Sequence, residues 1–329
     1  MSGRDSALGA LYGLAIGDAL GMPTQLMSRE AIAERYGSIR SFEPADADHP
    51  LAAGMPAGSI TDDTEQALLL AGLLIDGGGH VDAAVFAREL VRWEDRMRAK
   101  GSLDLLGPST KRAVEAVIEG ESIDESGRFG TTNGAAMRIA PVGIVVDSGD
   151  LVELVDRVVE TSRASHNTGV AIAGAAAVAA AVSAGIDGAN LDEALGLAAA
   201  AAELGSRRGY WVAAADVAAR IRLTADLADP ADVDGSLTRI YELVGTSLAT
   251  QESVPAAFGL LRLFPGDPWE ACLAAASLGG DSDTVAAMAG AMGGAIYGVD
   301  ALPEEARRIV ARVNGLDLDT VVDGLLALR

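Results

Sequence analysis

Residues Gly169–Ile186 read GVAIAGAAAVAAAVSAGI, eighteen consecutive residues without a charge. The run meets the length threshold for a membrane span. However, most of it is Ala and Gly, no cluster of Lys or Arg flanks it, and Asp187 follows at once. These features favour a helix buried in a protein core. A period of 3.6 residues recurs in residues 67–75 and 84–91, whereas strand-like alternation is rare. Further helices are predicted over residues 151–162, 211–225, 237–244 and 318–326. The sequence therefore predicts an all-α protein.

The composition indicates how such helices pack. Half of the 329 residues are apolar, but only 4% are aromatic and 39 are Gly, so Ala, Leu and Val must fill the core at close backbone spacing. No Pro/Ser-rich or low-complexity linker interrupts the chain, which predicts one compact domain over residues 1–329. The N-terminal apolar stretch lacks a basic region and contains Asp18, so we do not expect a signal peptide.

Charge and cysteine content exclude several functions. With 47 acidic and 25 basic residues, the net charge is −22, which disfavours nucleic acid as a partner. Cys272 is the single cysteine and only three histidines are present, so an internal disulfide and a Cys-rich zinc site are excluded. We expect a cytoplasmic protein that binds neither nucleic acid nor membrane.

Two acidic clusters differ from ordinary surface charge. Residues 61–64 read TDDT and residues 279–284 read GGDSDT, and each follows glycines and leads into an apolar helix. Helix capping alone favours acidic residues in a first turn. However, carboxylates beside a helix too apolar to be solvated need compensation. Carboxylate and hydroxyl oxygens suit Mg²⁺ or Mn²⁺. If the two helix starts meet, Asp281 or Asp283 can bridge a pair of ions.

Five segments, in order from residue 9 to about residue 298, resemble the ADP-ribosylglycohydrolase family, which includes the dinitrogenase-reductase-activating glycohydrolases. They are residues 9–21 (GALYGLAIGDALG), 61–64 (TDDT), 133–141 (NGAAMRIAP), 165–166 (SH) and 279–284 (GGDSDT). The resemblance implies an orthogonal multi-helix fold with a binuclear Mg²⁺ or Mn²⁺ centre. By motif, the implied metal ligands are Thr61, Asp62, Asp63, Asp281, Asp283 and Thr284.

Other residues are candidates for the substrate side. Asn133 and Gly134 open a predicted helix whose N–H groups can cradle a phosphate, although a simple turn is the alternative. Met137 belongs to the same segment, and Arg138 either helps neutralise the phosphate or points elsewhere. The resemblance implies that His166 lies in the substrate cleft, although such a histidine is often a cap or a structural residue.

Two carboxylates and an aromatic pair complete the candidate residues. Asp18 lies in an apolar helix and either supports the metal site or marks the helix end. Asp104 resembles a cleft carboxylate of some family members, with helix capping as the alternative. Tyr210 and Trp211 form the only adjacent aromatic pair, which suggests either stacking on a base or a core position.

The resemblance predicts a metal-dependent hydrolase that cleaves an ADP-ribosyl bond at the anomeric carbon of the ribose. Asp62, Asp63 and Asp104 are the candidate catalytic carboxylates. Family members often have Gly where Thr132 stands, and residues 165–168 depart from the commoner Thr-His start, so a divergent leaving group or a smaller substrate is plausible. The substrate is then an ADP-ribosylated protein or a small ADP-ribosyl or ribosyl compound. The alternatives are an N-glycosidase of a nucleoside or similar compound and a noncatalytic ADP-ribose-binding or crystallin-like protein.

Overall fold

The structure, a computed structural model, describes residues 2–103 and 106–329. These residues are mainly helical and contain no β-strand, only isolated bridges that pair Thr132 with Ala249 and Thr168 with Tyr210. The all-α prediction is confirmed. The α-helices are, in chain order, α1 (Gly3–Gly21), α2 (Arg29–Tyr36), α3 (Asp62–Asp76), α4 (Ala83–Ala99), α5 (Pro108–Ile118), α6 (Ile123–Ser126), α7 (Gly134–Met137), α8 (Ala140–Val145), α9 (Leu151–Ser162), α10 (Gly169–Ile186), α11 (Leu191–Gly205), α12 (Val217–Leu227), α13 (Val233–Arg239), α14 (Thr250–Leu263), α15 (Pro268–Leu278), α16 (Ser282–Tyr297), α17 (Glu304–Asn314) and α18 (Leu318–Leu326).

Helix α10 lies at the centre of the helical packing. Every one of its residues is buried, and it contacts α8, α9, α11, α14 and α16. Within the described residues, it is the one helix long and apolar enough to cross a membrane, and its whole length is buried inside the protein. The predicted core helix is therefore present with the expected boundaries.

Helices α1 and α16 pack against each other along a row of glycines. A methyl group at Gly13 would lie 2.0 Å from the backbone oxygen of Gly290, and one at Gly9 would lie 2.1 Å from that of Gly294. At the other end of the row, Gly21 touches the backbone of Asp283. Along this row the residue numbers rise in α1 while they fall in α16, so the two helices are antiparallel. The C-terminal end of α1 therefore lies beside the N-terminus of α16.

Two predicted helices differ from the structure. We expected a helix over residues 211–225, but α12 begins at Val217 because the side chain of Asp216 accepts a hydrogen bond from Ala219 N and caps the helix there. We also expected one helix over residues 237–244. Instead, α13 begins earlier, at Val233, and continues into a π-helical turn at Ile240–Val244.

Candidate active site

Asp18 connects the end of α1 to the start of α3. Its carboxylate is fully buried and accepts hydrogen bonds from the backbone N–H and the hydroxyl of Thr61, at 3.0 and 2.8 Å. It also accepts from the N–H and the hydroxyl of Thr64, at 3.1 and 2.5 Å. Asp18 thereby accepts hydrogen bonds from two N–H groups at the N-terminus of α3, where the helix itself supplies no carbonyl acceptor. Of the two roles considered for Asp18, the structure therefore favours support of the acidic cluster.

The starts of α3 and α16 meet. The hydroxyl of Thr284 donates a hydrogen bond to Oδ2 of Asp63 across 3.3 Å, which joins the two acidic clusters directly. On the α16 side, Asp281 Oδ2 accepts a hydrogen bond of 2.5 Å from Asn133 Nδ2. On the α3 side, Gln66 Nε2 donates to Asp62 Oδ2 at 2.8 Å. The structure thus brings all six predicted ligand positions to the junction of two helices.

The glycines before Asp281 allow this junction to form. Gly279 and Gly280 have φ angles of +82° and +75°, which other residues rarely adopt. A side chain on Gly279 would come within 2.5 Å of the carbonyl oxygen of Met27, and one on Gly280 within 2.5 Å of that of Thr246. The loop therefore passes between two other segments before α16 begins.

The carboxylates of this junction are electrostatically crowded. Burial raises the pKa of Asp63 well above its usual range, and the nearby carboxylates of Asp283 and Asp62 raise it further. Burial also raises the pKa of Asp18 and that of Asp281 to about 6 each, despite the hydrogen bonds that favour their charged forms. Such a cluster favours protons or cations as counter-charges.

The donor chemistry of this junction fits a hard divalent cation. Oδ1 of Asp63 is buried and accepts no hydrogen bond from any described residue. The surrounding donors are carboxylate and threonine oxygens, the ligand type that Mg²⁺ and Mn²⁺ prefer. No group of three or more His, Cys, Asp or Glu side chains within residues 2–103 and 106–329 stands in a ready-made metal-binding arrangement. The binuclear centre therefore stays a prediction, now based on donor chemistry.

A cleft of about 240 Å³ opens above the acidic junction. Its walls contain four of the predicted metal ligands, namely Asp62, Asp281, Asp283 and Thr284. Thr61 and Asp63 are buried behind them. A second cavity shares Leu51 and Leu103 with the cleft and is lined by Thr61.

The segment of residues 133–137 forms one wall of the cleft. Asn133, Gly134 and Met137 all line it. Helix α7, which Gly134 opens, is only four residues long, so the helix dipole that we expected to attract a phosphate is weak here. Asn133 instead uses its amide to hold Asp281 and the hydroxyl of Ser253.

Arg138 points away from the cleft. It is 1% exposed, donates to Gln66 Oε1 and Ser165 Oγ at 2.6 Å each, and lies over the ring of Phe86. Burial lowers its pKa to about 10, which still leaves it charged at neutral pH. Because arginine only donates, it holds the oxygen of the Gln66 amide toward itself and the NH₂ group toward Asp62.

His166 is a buried supporting residue and does not line the cleft. Its ring nitrogens lie 3.0 Å from Thr132 Oγ1 and 2.8 Å from Ser165 Oγ. A side chain on Gly134 would come within 2.9 Å of the ring. Burial and the nearby charge of Arg138 lower the pKa of His166 well below its usual range, so the ring is neutral. It thus supports Thr132 and Gly134, which do line the cleft.

The remaining candidates lie elsewhere. Trp211 is 87% exposed and lines a separate surface depression with Val170 and Asp216, and neither it nor Tyr210 lines the cleft. The structure therefore gives this aromatic pair no contact with a base in the cleft, and Trp211 is not a core residue. Asp104 lies outside the described residues.

Several cleft residues were not anticipated from the sequence. Gln25, Leu26, Thr110 and Leu248 contribute to its walls. They come from loops and from a helix without any acidic or glycine-rich motif. A single amide or leucine in a loop carries no pattern, so only tertiary packing reveals its place.

Fold and site together define a class of all-helical proteins with a buried carboxylate centre at two converging helix N-termini. The chain belongs to the ADP-ribosylglycohydrolase family, whose model matches residues 1–329. It is thereby assigned to the hydrolases that act on glycosidic bonds, as expected from the sequence motifs.

Two relatives and one solved structure illustrate the similarity. The chain is 34% identical to the protein YegU of Escherichia coli, with 98% of this chain and 96% of the relative covered. It is 27% identical to the ADP-ribosyl-[dinitrogen reductase] glycohydrolase of Rhodospirillum rubrum, with 99% and 97% covered. A solved structure described as an ADP-ribosylglycohydrolase-related protein complex matches with a TM-score of 0.73 at 24% identity, over 99% of each chain. This last likeness concerns the fold.

Proposed function

We propose that this protein is a divalent-cation-dependent hydrolase that cleaves the bond between an ADP-ribosyl group and its leaving group at the anomeric carbon. The observation that carries the proposal is the junction of α3 and α16, where Thr284 contacts Asp63 beneath an open cleft. Family membership supplies the reaction class. The proposed substrate is an ADP-ribosylated protein or a small ADP-ribosyl compound.

The charge of the cleft supports cation dependence. No Lys or Arg appears among the described residues that line it, and the charge of Arg138 is directed at Gln66. The whole chain carries a net charge of −22. A diphosphate entering beside several carboxylates would be repelled without added positive charge.

The residues that would hold two Mg²⁺ or Mn²⁺ ions are Thr61, Asp62, Asp63, Asp281, Asp283 and Thr284. When bound, such ions would offset the carboxylate charges and orient the hydroxyls of the ribose.

The chain's own residues have defined roles in the reaction. Hydrolysis forms a bond between a water oxygen and the anomeric carbon, breaks the bond to the leaving group, and moves one proton from the water to the departing group. Asp62 faces the cleft with its orientation fixed by Gln66, which suits it to accept that proton. Leu26, Leu106 and Met137 form apolar walls that limit access of other water molecules. Asp104 stays a sequence-based candidate for a second catalytic carboxylate.

The same scarcity of basic groups favours a second candidate function. An N-glycosidase of a nucleoside or another small ribosyl compound needs no diphosphate pocket. The same carboxylates and cations would orient the ribose hydroxyls. The two functions differ in the product that is released.

Product analysis separates these functions. The protein is incubated with Mn²⁺ and either an arginine-ADP-ribosylated protein or a panel of nucleosides, and products are identified by mass spectrometry, with Asp63→Ala as the inactive control. Release of ADP-ribose supports the main proposal. Release of free base and ribose from nucleosides supports the second candidate. The absence of product from both substrate classes contradicts a catalytic role and favours a noncatalytic ADP-ribose-binding protein.

We also propose a cytoplasmic location. The single thiol, Cys272, is fully buried and burial raises its pKa to about 12, so it is unsuited to form disulfides. Fractionation of cells that produce the protein would test the location, and recovery in a membrane or extracellular fraction would contradict it.

A further inference from the structure

Gln25 presents a buried amide to the cleft. It lies in the turn after α1, is 4% exposed, and belongs to the cleft wall together with Asp281 and Thr284. Its Nε2 is buried and has no hydrogen-bond partner among the described residues. A buried donor without a partner is costly in a folded protein, so its persistence at a cleft wall points to a ligand atom as its partner.

The turn that carries Gln25 is strained and firmly held. Leu26 has a φ angle of +64° and is, within the described chain, the only residue other than glycine in this region. Backbone hydrogen bonds tie the turn to the α16 loop, from Leu26 N to Gly280 O at 2.7 Å and from Gly280 N to Met27 O at 2.9 Å. A strained residue held in this way is typical of a functional site.

His49 anchors the other side of the turn. Its Nδ1 accepts hydrogen bonds from the backbone N–H groups of Leu51 and Ala52, so Nε2 carries the proton. Nε2 donates that proton to the carbonyl oxygen of Gln25 at 3.0 Å. The backbone of Gln25 is therefore fixed by partners in two distant loops, which holds the base of its side chain in place at the cleft wall.

The other polar groups of the cleft determine what the amide can bind. Asp62, Asp281 and Asp283 offer hydrogen-bond acceptors, and the amide of Asn133 already donates to Asp281 and Ser253. Gln25 therefore supplies a donor in a wall that is rich in acceptors. Because its turn pairs with Gly280, which immediately precedes Asp281, it lies at the acidic end of the cleft.

We infer that Gln25 positions the substrate by donating a hydrogen bond from Nε2 to an oxygen of the ribosyl group that is cleaved. The inference rests on the proposed function, since it takes that group to lie at the acidic junction. The carboxylates and their cations would bind ribose hydroxyls, and Gln25 would contact another oxygen of the same group.

The test compares two ligands that differ only in this ribosyl group. Binding of ADP-ribose and of ADP is measured by calorimetry in Mn²⁺ for the wild type and Gln25→Leu, which removes the donor at similar size. We expect the Kd of ADP-ribose to rise about tenfold, within the range for loss of one hydrogen bond, while the Kd of ADP changes less than twofold. Gln251→Leu is the matched control, because Gln251 also carries a buried amide atom without a partner but does not line the cleft.

The outcomes distinguish this inference from the proposed function. If the wild type binds ADP-ribose but Gln25→Leu binds both ligands like the wild type, or loses affinity for both equally, the inference alone is overturned. If the wild type binds no ADP-ribose, the proposed function is overturned and the inference with it. If Gln25→Leu does not fold, as judged by its melting curve, Gln25→Met removes the same donor with an unbranched side chain and is held to the same criteria.

Discussion

At the residue scale, one carboxylate organises the acidic junction. Asp18 contacts both threonines that flank Asp62 and Asp63, and it reaches them from a helix whose most extensive packing is against α16. Both oxygens of this buried carboxylate have hydrogen-bond donors from the start of α3 even without a bound cation. Its role is therefore to fix the first turn of α3, on which the other carboxylates depend.

We predict that Asp18→Asn weakens both the fold and the metal site. Asparagine replaces one acceptor oxygen with an NH₂ group that faces backbone and hydroxyl donors, so we expect a loss of about 1–3 kcal/mol in the free energy of unfolding. Affinity for Mn²⁺ should fall about 10- to 100-fold. Urea unfolding and calorimetry measure the two effects. Asp300→Asn, which removes the same charge at an exposed position, is the control, and equal behaviour of the two variants would refute the role of Asp18.

Gln66 provides a second prediction at this scale. In Gln66→Glu the new carboxylate can still pair with Arg138, so the fold should be preserved, but the donor to Asp62 is lost and a like charge is placed beside it. We expect the melting temperature to change little and kcat to fall about 10- to 100-fold, the range for loss of a residue that orients a metal ligand. Steady-state kinetics on the substrate identified by product analysis give the answer. A variant with unchanged kcat would show that Asp62 needs no such support.

The sequence predicted the acidic residues of the site better than its neutral ones. Residues 61–64 and 279–284 are contiguous motifs at helix starts, so their chemistry is local and visible in the sequence. Gln25 and Leu248 reach the cleft only because distant segments pack there. The sequence alone allows Arg138 either to face a phosphate or to point elsewhere, because its orientation depends on Gln66 and Ser165, which no local pattern reveals.

At the element scale, the antiparallel contact between α1 and α16 positions the site. Its glycines let the two backbones approach until a methyl group at Gly13 would meet the carbonyl of Gly290. This contact sets Gly21, three residues after Asp18, beside Asp283 and leaves no room for an ordinary side chain. The catalytic geometry therefore depends on residues that carry no functional group.

We predict opposite effects for two glycine-to-alanine changes in helices. Gly13→Ala inserts a methyl group 2.0 Å from a backbone oxygen and should lower the free energy of unfolding by about 3 kcal/mol. Gly72→Ala, in α3, meets no atom within 4 Å and should raise it by about 0.5–1 kcal/mol, since alanine restricts the unfolded chain and favours helix. Urea denaturation measures both values. Similar effects of the two changes would contradict the close backbone contact.

Helix boundaries followed from the sequence where local caps are strong. The helices predicted at residues 151–162 and 318–326 have those boundaries, and Asp150 caps the first of them by accepting from Val152 N and Glu153 N. The alanines before Asp216 have high helix propensity, so the sequence predicts a helix from residue 211. The helix begins only at Val217 because the cap formed by Asp216 outweighs that propensity. The short helices α7 and α8 are too brief to show a period.

At the scale of the whole molecule, electrostatics links stability to pH and cations. The folded protein holds several buried carboxylates and a net charge of −22. The pKa of Asp18 and that of Asp281 are raised to about 6 from an ordinary value of 3.8. A carboxyl with a raised pKa stabilises the fold below the ordinary value and loses that contribution as the pH rises through the raised one.

We therefore predict that the protein in EDTA loses stability between about pH 4 and pH 6, and that Mn²⁺ restores it more strongly at pH 7.5 than at pH 4.5. Melting temperatures with and without Mn²⁺ test this. Asp281→Asn should reduce the pH dependence, whereas Asp300→Asn, which removes an exposed charge, should leave it as in the wild type. Equal stabilisation by Mn²⁺ at both pH values would show that the buried carboxylates do not bind the cation.

We propose that the starts of α3 and α16 form one divalent-cation centre. Calorimetric titration of the wild type and of Asp283→Ala with Mn²⁺ at pH 7.5 tests it most directly, with circular dichroism confirming that the variant is folded. The proposed centre predicts two ions per wild-type chain and the loss of at least one in the variant. The absence of binding to the wild type, or an unchanged stoichiometry in Asp283→Ala, would contradict it.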